Sequence, residues 1–209
     1  FGRPWKPSTN RRFDVVMIGN RLRSRLPFLS MPGVREREAL ARLMFKSFNN
    51  RFGLYGKNWN GYGGDQGYLP FFEQEEVLRT SWMSIGLDHF PSFPLYFSDR
   101  LPIALMSGVA HLTNYTQGLE TLFQNGQHLK WFHTVEEAVH LSEEMIHGPK
   151  EELIALGLRG QSLAKECYTE RSRMARILQM IKGINNQKQS GTKSLNYDAK
   201  NVNSFTRKS

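Results

Sequence analysis

The chain carries a single cysteine, Cys167, among 209 residues. It therefore has no intramolecular disulfide and no paired-cysteine metal site, and this usage fits a reducing, cytoplasmic compartment. Long apolar runs are missing as well. None approaches the ~20 residues that cross a bilayer, so no integral membrane segment is expected. The opening FGRPWKPSTNRR lacks the apolar core of a secretory signal. There is no GxGxxG fingerprint, which removes the main support for a nicotinamide dinucleotide, and no GxxxxGK[ST] phosphate loop. HExxH, GxSxG and DxD are absent too. His128, His133, His140 and His147 have no spacing that gathers them on one face, and no metal is expected.

What is present is an ordinary core former: 39% apolar and 12% aromatic residues, enough for one domain with loose ends. Lysine and arginine exceed aspartate and glutamate by nine, but unevenly. Residues 1–37 carry +7 and residues 182–209 carry +5, while 38–181 carry −3. A basic chain invites a nucleic-acid reading. Here the excess lies in an entry segment and a tail, so nucleic acid is not the expected partner.

Periodicity divides the chain into an extended linker over 1–12, a folded domain over 13–181 and a basic, disordered tail over 182–209. FDVVMIGN at 13–20 is a short apolar run closed by glycine, the pattern of a strand buried on both faces. Arg35–Phe48 has apolar residues at helical spacing. Further strands are predicted at Phe52–Gly56, Ser84–Asp88, Val109–Thr113 and Leu129–Phe132. Further helices are predicted at Glu73–Met83, Arg100–Met106, from a Thr134 cap to Ile146, at Glu151–Cys167 and at Glu170–Ile181. Short strands alternating with helices predict an α/β fold, a doubly wound, Rossmann-like parallel sheet. Ligands of such sheets bind beyond the carboxyl ends of the strands. That rule selects the loops Gly19–Arg25, Gly56–Gly67, Asp88–Arg100 and Asn114–Glu120.

Gly19-Asn20-Arg21, with Arg23 and Arg25 following, is either a phosphate-binding loop or a solvated basic one. Ser98 or Asp99 can cap the helix opening at Arg100, whose free N–H groups and guanidinium would hold a diphosphate. His89 stands at a strand end facing the crevice and is the weak candidate for a catalytic group. Gly118 opens a turn that could present amides, with Glu120 available to sugar or ribose hydroxyls. Trp59, Tyr62, Tyr68, Phe71 and Phe72 cluster in and after the glycine-rich loop, where they either stack on a ring or cap the core.

The order of these segments resembles the C-terminal, donor-binding domain of GT-B glycosyltransferases, nearest the group that includes the spore-maturation protein CgeB. The residues carrying it are DVVMIGN at 14–20, a helix with Arg35 and Glu38, LYGKNW at 54–59 and SIGLDHF at 84–90. Ser98-x-Arg100, then MSGVAHLTNYTQGLETLF at 106–123, and Gly160, Leu163, Tyr168, Thr169 and Arg173 complete the set. The resemblance implies that the substrate is a nucleotide diphosphate sugar and that no cofactor is used. The sugar passes to an acceptor whose class the sequence leaves open. It implies Asn20 and Arg21 beside the phosphates, Ser98 and Arg100 on the diphosphate, and Gly118, Leu119 and Glu120 bordering the donor. It further implies an N-terminal acceptor domain, on a longer parent chain or on a partner. One residue departs from the family pattern. Ile103 stands where a glutamate is expected at the ribose hydroxyls, so either Asp99 or Glu120 replaces it or the chain is a non-catalytic subunit with a degraded donor site.

Overall fold

The computed structural model describes residues 10–22, 32–90 and 92–189. Most of the linker, Arg23 and Arg25 of the first loop, and residues 190–209 of the tail lie outside them. Two compact units result, one through Ala164 and one from Lys165 onward.

The first unit is built on a five-stranded sheet of β1 (Phe13–Ile18), β2 (Phe52–Tyr55), β3 (Ser81–Gly86), β4 (Ala110–Asn114) and β5 (Lys130–Phe132). All neighbours pair in parallel, in the order β2-β1-β3-β4-β5. The intervening helices are α1 (Val34–Phe48), α2 (Gln74–Arg79) and α3 (Arg100–Ser107), followed after β5 by α4 (Val135–His147) and α5 (Lys150–Cys167). This is the doubly wound α/β sheet the periodicity predicts. The chain direction across the sheet reverses between β1 and β3, which makes the gap beyond their carboxyl ends the natural ligand crevice.

Alternation along β1 feeds both faces. Val15 and Met17 join Leu40, Met44, Phe48, Met83, Ile85 and Leu112 in one core. Val16 and Phe13 join Leu78, Ala104 and Val109 in the other. Burying a Val, Leu, Ile, Phe or Met side chain stabilises the fold by about 1.5–3 kcal/mol, so this double core is what fixes the sheet. At α4 the Thr134 hydroxyl accepts the Glu137 N–H at 3.1 Å, the N-cap that the sequence indicates.

Two boundaries differ from expectation. The helix predicted over Glu73–Met83 stops at Arg79, and β3 begins at Ser81. The Ser81 and Thr80 hydroxyls turn back onto the carbonyls of α2, and this frees Trp82 and Met83 to enter the sheet. In the second unit α6 spans Glu170–Gln189, so 182–189 is helical where a disordered tail is predicted. Ile184 follows Ile181 at helical spacing, which carries the periodicity past Gly183.

A buried polar pair ties β3 to β4: the Ser84 hydroxyl lies 2.8 Å from His111 Nδ1. Burial pulls the His111 pKa from 6.5 to about 4, so the folded ring stays neutral. Between those two pH values the unfolded chain takes up a proton that the folded one refuses. Stability should therefore fall by about 2–3 kcal/mol from pH 7 to pH 4.5 through this group. Urea denaturation should show the gap between wild type and His111→Gln narrowing over that interval. A gap independent of pH would exclude the effect.

Candidate functional site

The crevice is framed by backbone. β1 ends at Ile18, and the next amide, Gly19 N–H, donates to the Tyr55 carbonyl at the end of β2 at 2.8 Å. The two loops beyond are laced together. Arg21 N–H meets Lys57 O at 3.0 Å, Lys57 N–H meets Asn20 Oδ1 at 2.9 Å, and Asn58 Nδ2–H meets Arg21 O at 3.0 Å. Trp59 is fully buried and its indole N–H donates to Gly19 O at 2.6 Å. The LYGKNW segment thus works as a brace for Gly19, and Trp59 belongs to the core rather than to a ring-stacking surface.

Around Gly19 two guanidiniums converge. A Cβ built on Gly19 would lie 3.4 Å from Arg37 Nη1 and 3.6 Å from Arg100 Nη1. Arg37 is 2% exposed. It donates to Asn20 O at 3.0 Å and to Leu87 O, carbonyls just past β1 and β3, so one side chain spans the crevice floor. Its Nε is buried with no partner. Burial, then repulsion from Arg100, pulls its pKa down to about 10 against the pull of Asp88, leaving it charged at neutral pH. Among the described residues Arg100, half-buried, makes no ion pair. The nearby carboxylate, Asp88, is 5% exposed and accepts the Ser98 N–H at 3.2 Å. Two guanidiniums beside Gly19, one of them with a buried donor unspent, can hold an anion.

The sequence candidates fare unequally. Asn20 and Arg100 come together, on the wall of a cavity of about 210 Å³ that also touches Tyr68, Gln74, Asp99 and Ile103. The Asn20 side-chain oxygen is already engaged with Lys57, so Asn20 contributes position rather than a free acceptor. Arg21 is turned away: its Nε pairs with Glu38 at 2.6 Å and its guanidinium lies over the Tyr62 ring. A carboxylate closer than any ligand anion satisfies it. Ser98 uses its N–H on Asp88, Leu101 N–H folds back to Ser98 O, and Pro102 has no N–H. The first turn of α3 therefore presents fewer free amides than expected.

Gly118, Leu119 and Glu120 do not line that cavity. Gly118 packs on Leu95, Leu119 is fully buried, and exposed Glu120 accepts the Tyr115 hydroxyl at 3.0 Å. Glu120 is thus no replacement for the glutamate missing at 103, whereas Asp99 and Gln74 are adjacent to Ile103. His89 Nδ1 lies 3.1 Å from Pro32 O. Burial, then the Arg37 charge, holds its pKa below the ordinary histidine value.

Arg37 is the residue that loop-by-loop reading misses. The signal is in the sequence: Val34, Arg37, Ala41, Met44 and Phe48 share the buried side of α1. A charged residue in phase with the apolar stripe marks a group buried for a purpose. Among the described residues no group of three or more His, Cys, Asp or Glu side chains could hold a metal ion. None of the described helices is long and apolar enough to cross a membrane.

A parallel five-stranded sheet flanked by helices, with a crevice at its switch point, defines the Rossmann-like α/β class. Within that class, the chain belongs to the glycosyl transferase-like family, whose model matches residues 35–179. Solved structures of the same fold are GT-B glycosyltransferases. HepE of Anabaena, solved with UDP and glucose, has a TM-score of 0.60 at 9% identity over 83% of this chain and 48% of its own. TarM has a TM-score of 0.59 at 12% identity over 83% of this chain and 36% of its own. The C-terminal domain of the glycosyl transferase LpcC from Francisella tularensis has a TM-score of 0.55 at 12% identity, covering 79% of this chain and 96% of that domain. The chain thus spans about a third to a half of HepE and TarM. No curated protein matches it in sequence.

Proposed function

We propose that the chain is the donor-binding half of a glycosyltransferase of the CgeB-like group, holding the diphosphate of a nucleotide-activated sugar at Arg37 and Arg100. The convergence of those two guanidiniums on Gly19 carries the reading. Transfer of the sugar leaves negative charge on the diphosphate oxygens, and preorganised cations beside them lower the barrier by stabilising that charge. The neighbouring 210 Å³ cavity then takes the nucleoside. Tyr68 and Phe71 supply ring surfaces, and Asp99 and Gln74 accept the ribose hydroxyls that apolar Ile103 leaves without a partner. The acceptor side is supplied by a second domain or partner polypeptide, in the cytoplasm.

Calorimetric titration of the chain with UDP, GDP, dTDP and ADP tests this. One of the four should bind at micromolar strength and the others at least tenfold more weakly. Ile103 favours a second reading, a non-catalytic subunit that keeps the fold but has lost the donor. Absence of binding by all four nucleotides would decide for it.

A further inference from the structure

On the other side of the switch point, a cavity of about 900 Å³ opens along the ends of β3, β4 and β5 and the starts of α1 and α4. Its walls are largely apolar and aromatic. Leu87 and Phe132 form buried parts of it, and two ring pairs line it. Phe90 and Phe93 meet edge-on at 5.9 Å, and Tyr115 and His133 meet at 4.9 Å. Phe93 remains 61% exposed.

Several polar groups on these walls are already committed to the protein. Asn114 Oδ1 accepts the Asp88 N–H at 2.6 Å, and the Thr134 hydroxyl caps α4. Glu36 and Glu136 are exposed rim carboxylates. His89 is different. With Nδ1–H donating to Pro32 O, the neutral ring has Nε2 as its free acceptor. The His89 ring also feels the Arg37 and Arg100 charges.

We infer that this cavity takes the ring end of an acceptor molecule, a flat apolar ring system bearing a hydroxyl group, with His89 Nε2 taking the hydroxyl's hydrogen bond and the rest of the acceptor lying on the second domain or partner. The volume suits two or three fused rings, and the edge-on Phe90–Phe93 pair and the tilted Tyr115–His133 pair provide faces for them. Naming the ligand an acceptor rests on the donor reading above; the binding itself needs no donor.

The probe is 2-naphthol, followed by its own fluorescence on titration with the full chain, beside naphthalene, methyl glucoside and UDP. 2-Naphthol should bind at one saturable site, about tenfold more tightly than naphthalene because of the hydroxyl. His89→Ala should erase that tenfold difference and leave naphthalene unchanged. Ala39→Trp, which fills the cavity from a half-exposed position on α1, should remove both; Ser92→Trp, on the exposed turn, is the second filling variant should the first not fold. Failure of 2-naphthol to saturate overturns the proposal. So does binding untouched by the filling variants, or a filling-sensitive site for methyl glucoside alone. Naphthol binding without binding of UDP, GDP, dTDP or ADP would remove the donor reading and keep the cavity, and binding of one nucleotide without naphthol would do the opposite.

Discussion

Arg100→Ala should weaken nucleoside diphosphate binding by about thirty- to a hundredfold while leaving the fold intact. The size follows from losing charge-assisted hydrogen bonds to a diphosphate, about 2–3 kcal/mol, at about 1.4 kcal/mol per decade of affinity. The fold survives because, among the described residues, Arg100 makes no ion pair. Its removal also relieves the repulsion that lowers the Arg37 pKa, so stability should move by less than about 0.5 kcal/mol. Arg100→Lys keeps the charge and loses the planar fork, and should fall between wild type and alanine. A second readout is independent of any ligand. Arg100 is one of the charges holding His89 below its ordinary pKa, so His89 should titrate at higher pH in Arg100→Ala, visible in its ring proton shifts. Full nucleotide affinity in Arg100→Ala would remove this residue from the site.

The fold was legible because its signals are local. FDVVMI is apolar on both faces, α1 keeps its stripe and Thr134 stands where a cap is needed, so strand order apart, the parallel sheet follows from alternation alone. The start of β3 was harder. Trp82-Met83 continues an apolar run that suits a helix or a strand, and the Thr80 and Ser81 hydroxyls bonding back to α2 decide between them. The site was legible in its loops and not in its partners. Arg21, Arg37 and Arg100 are equally cationic in sequence, yet one faces Glu38, one is buried under the crevice and one remains open. Which arginine meets which carboxylate depends on how α1 crosses the sheet, a packing outcome no spacing encodes. Ile103 shows the converse. Its identity was visible at once, and the structure supplies its neighbours Asp99 and Gln74.

The largest effect on the frame is expected at Gly56. Its φ of 141° is open to glycine and strained for any side chain. A Cβ there would sit 2.6 Å from the Gly19 carbonyl carbon and 3.1 Å from Asn20 N. Both are backbone atoms, so no rotamer change relieves the clash; β1 and β2 must separate at their carboxyl ends. Gly56→Ala should therefore cost about 3–4 kcal/mol, strain and clash together, and lower the melting temperature by on the order of 10 °C for a chain of this size. Gly61→Ala is the control. Its φ of 86° carries a backbone penalty of about 1–2 kcal/mol, but nothing lies within 4 Å of the new Cβ. The difference between the two variants isolates the approach of Gly56 to Gly19. That approach also seats the Gly19 carbonyl on the Trp59 indole and holds Gly19 before Arg37 and Arg100. Nucleotide affinity should therefore fall in Gly56→Ala even at temperatures where the protein is fully folded, and hold in Gly61→Ala. Equal melting temperatures for the two variants would mean that the β1–β2 brace yields without strain, and that the anion site does not depend on it.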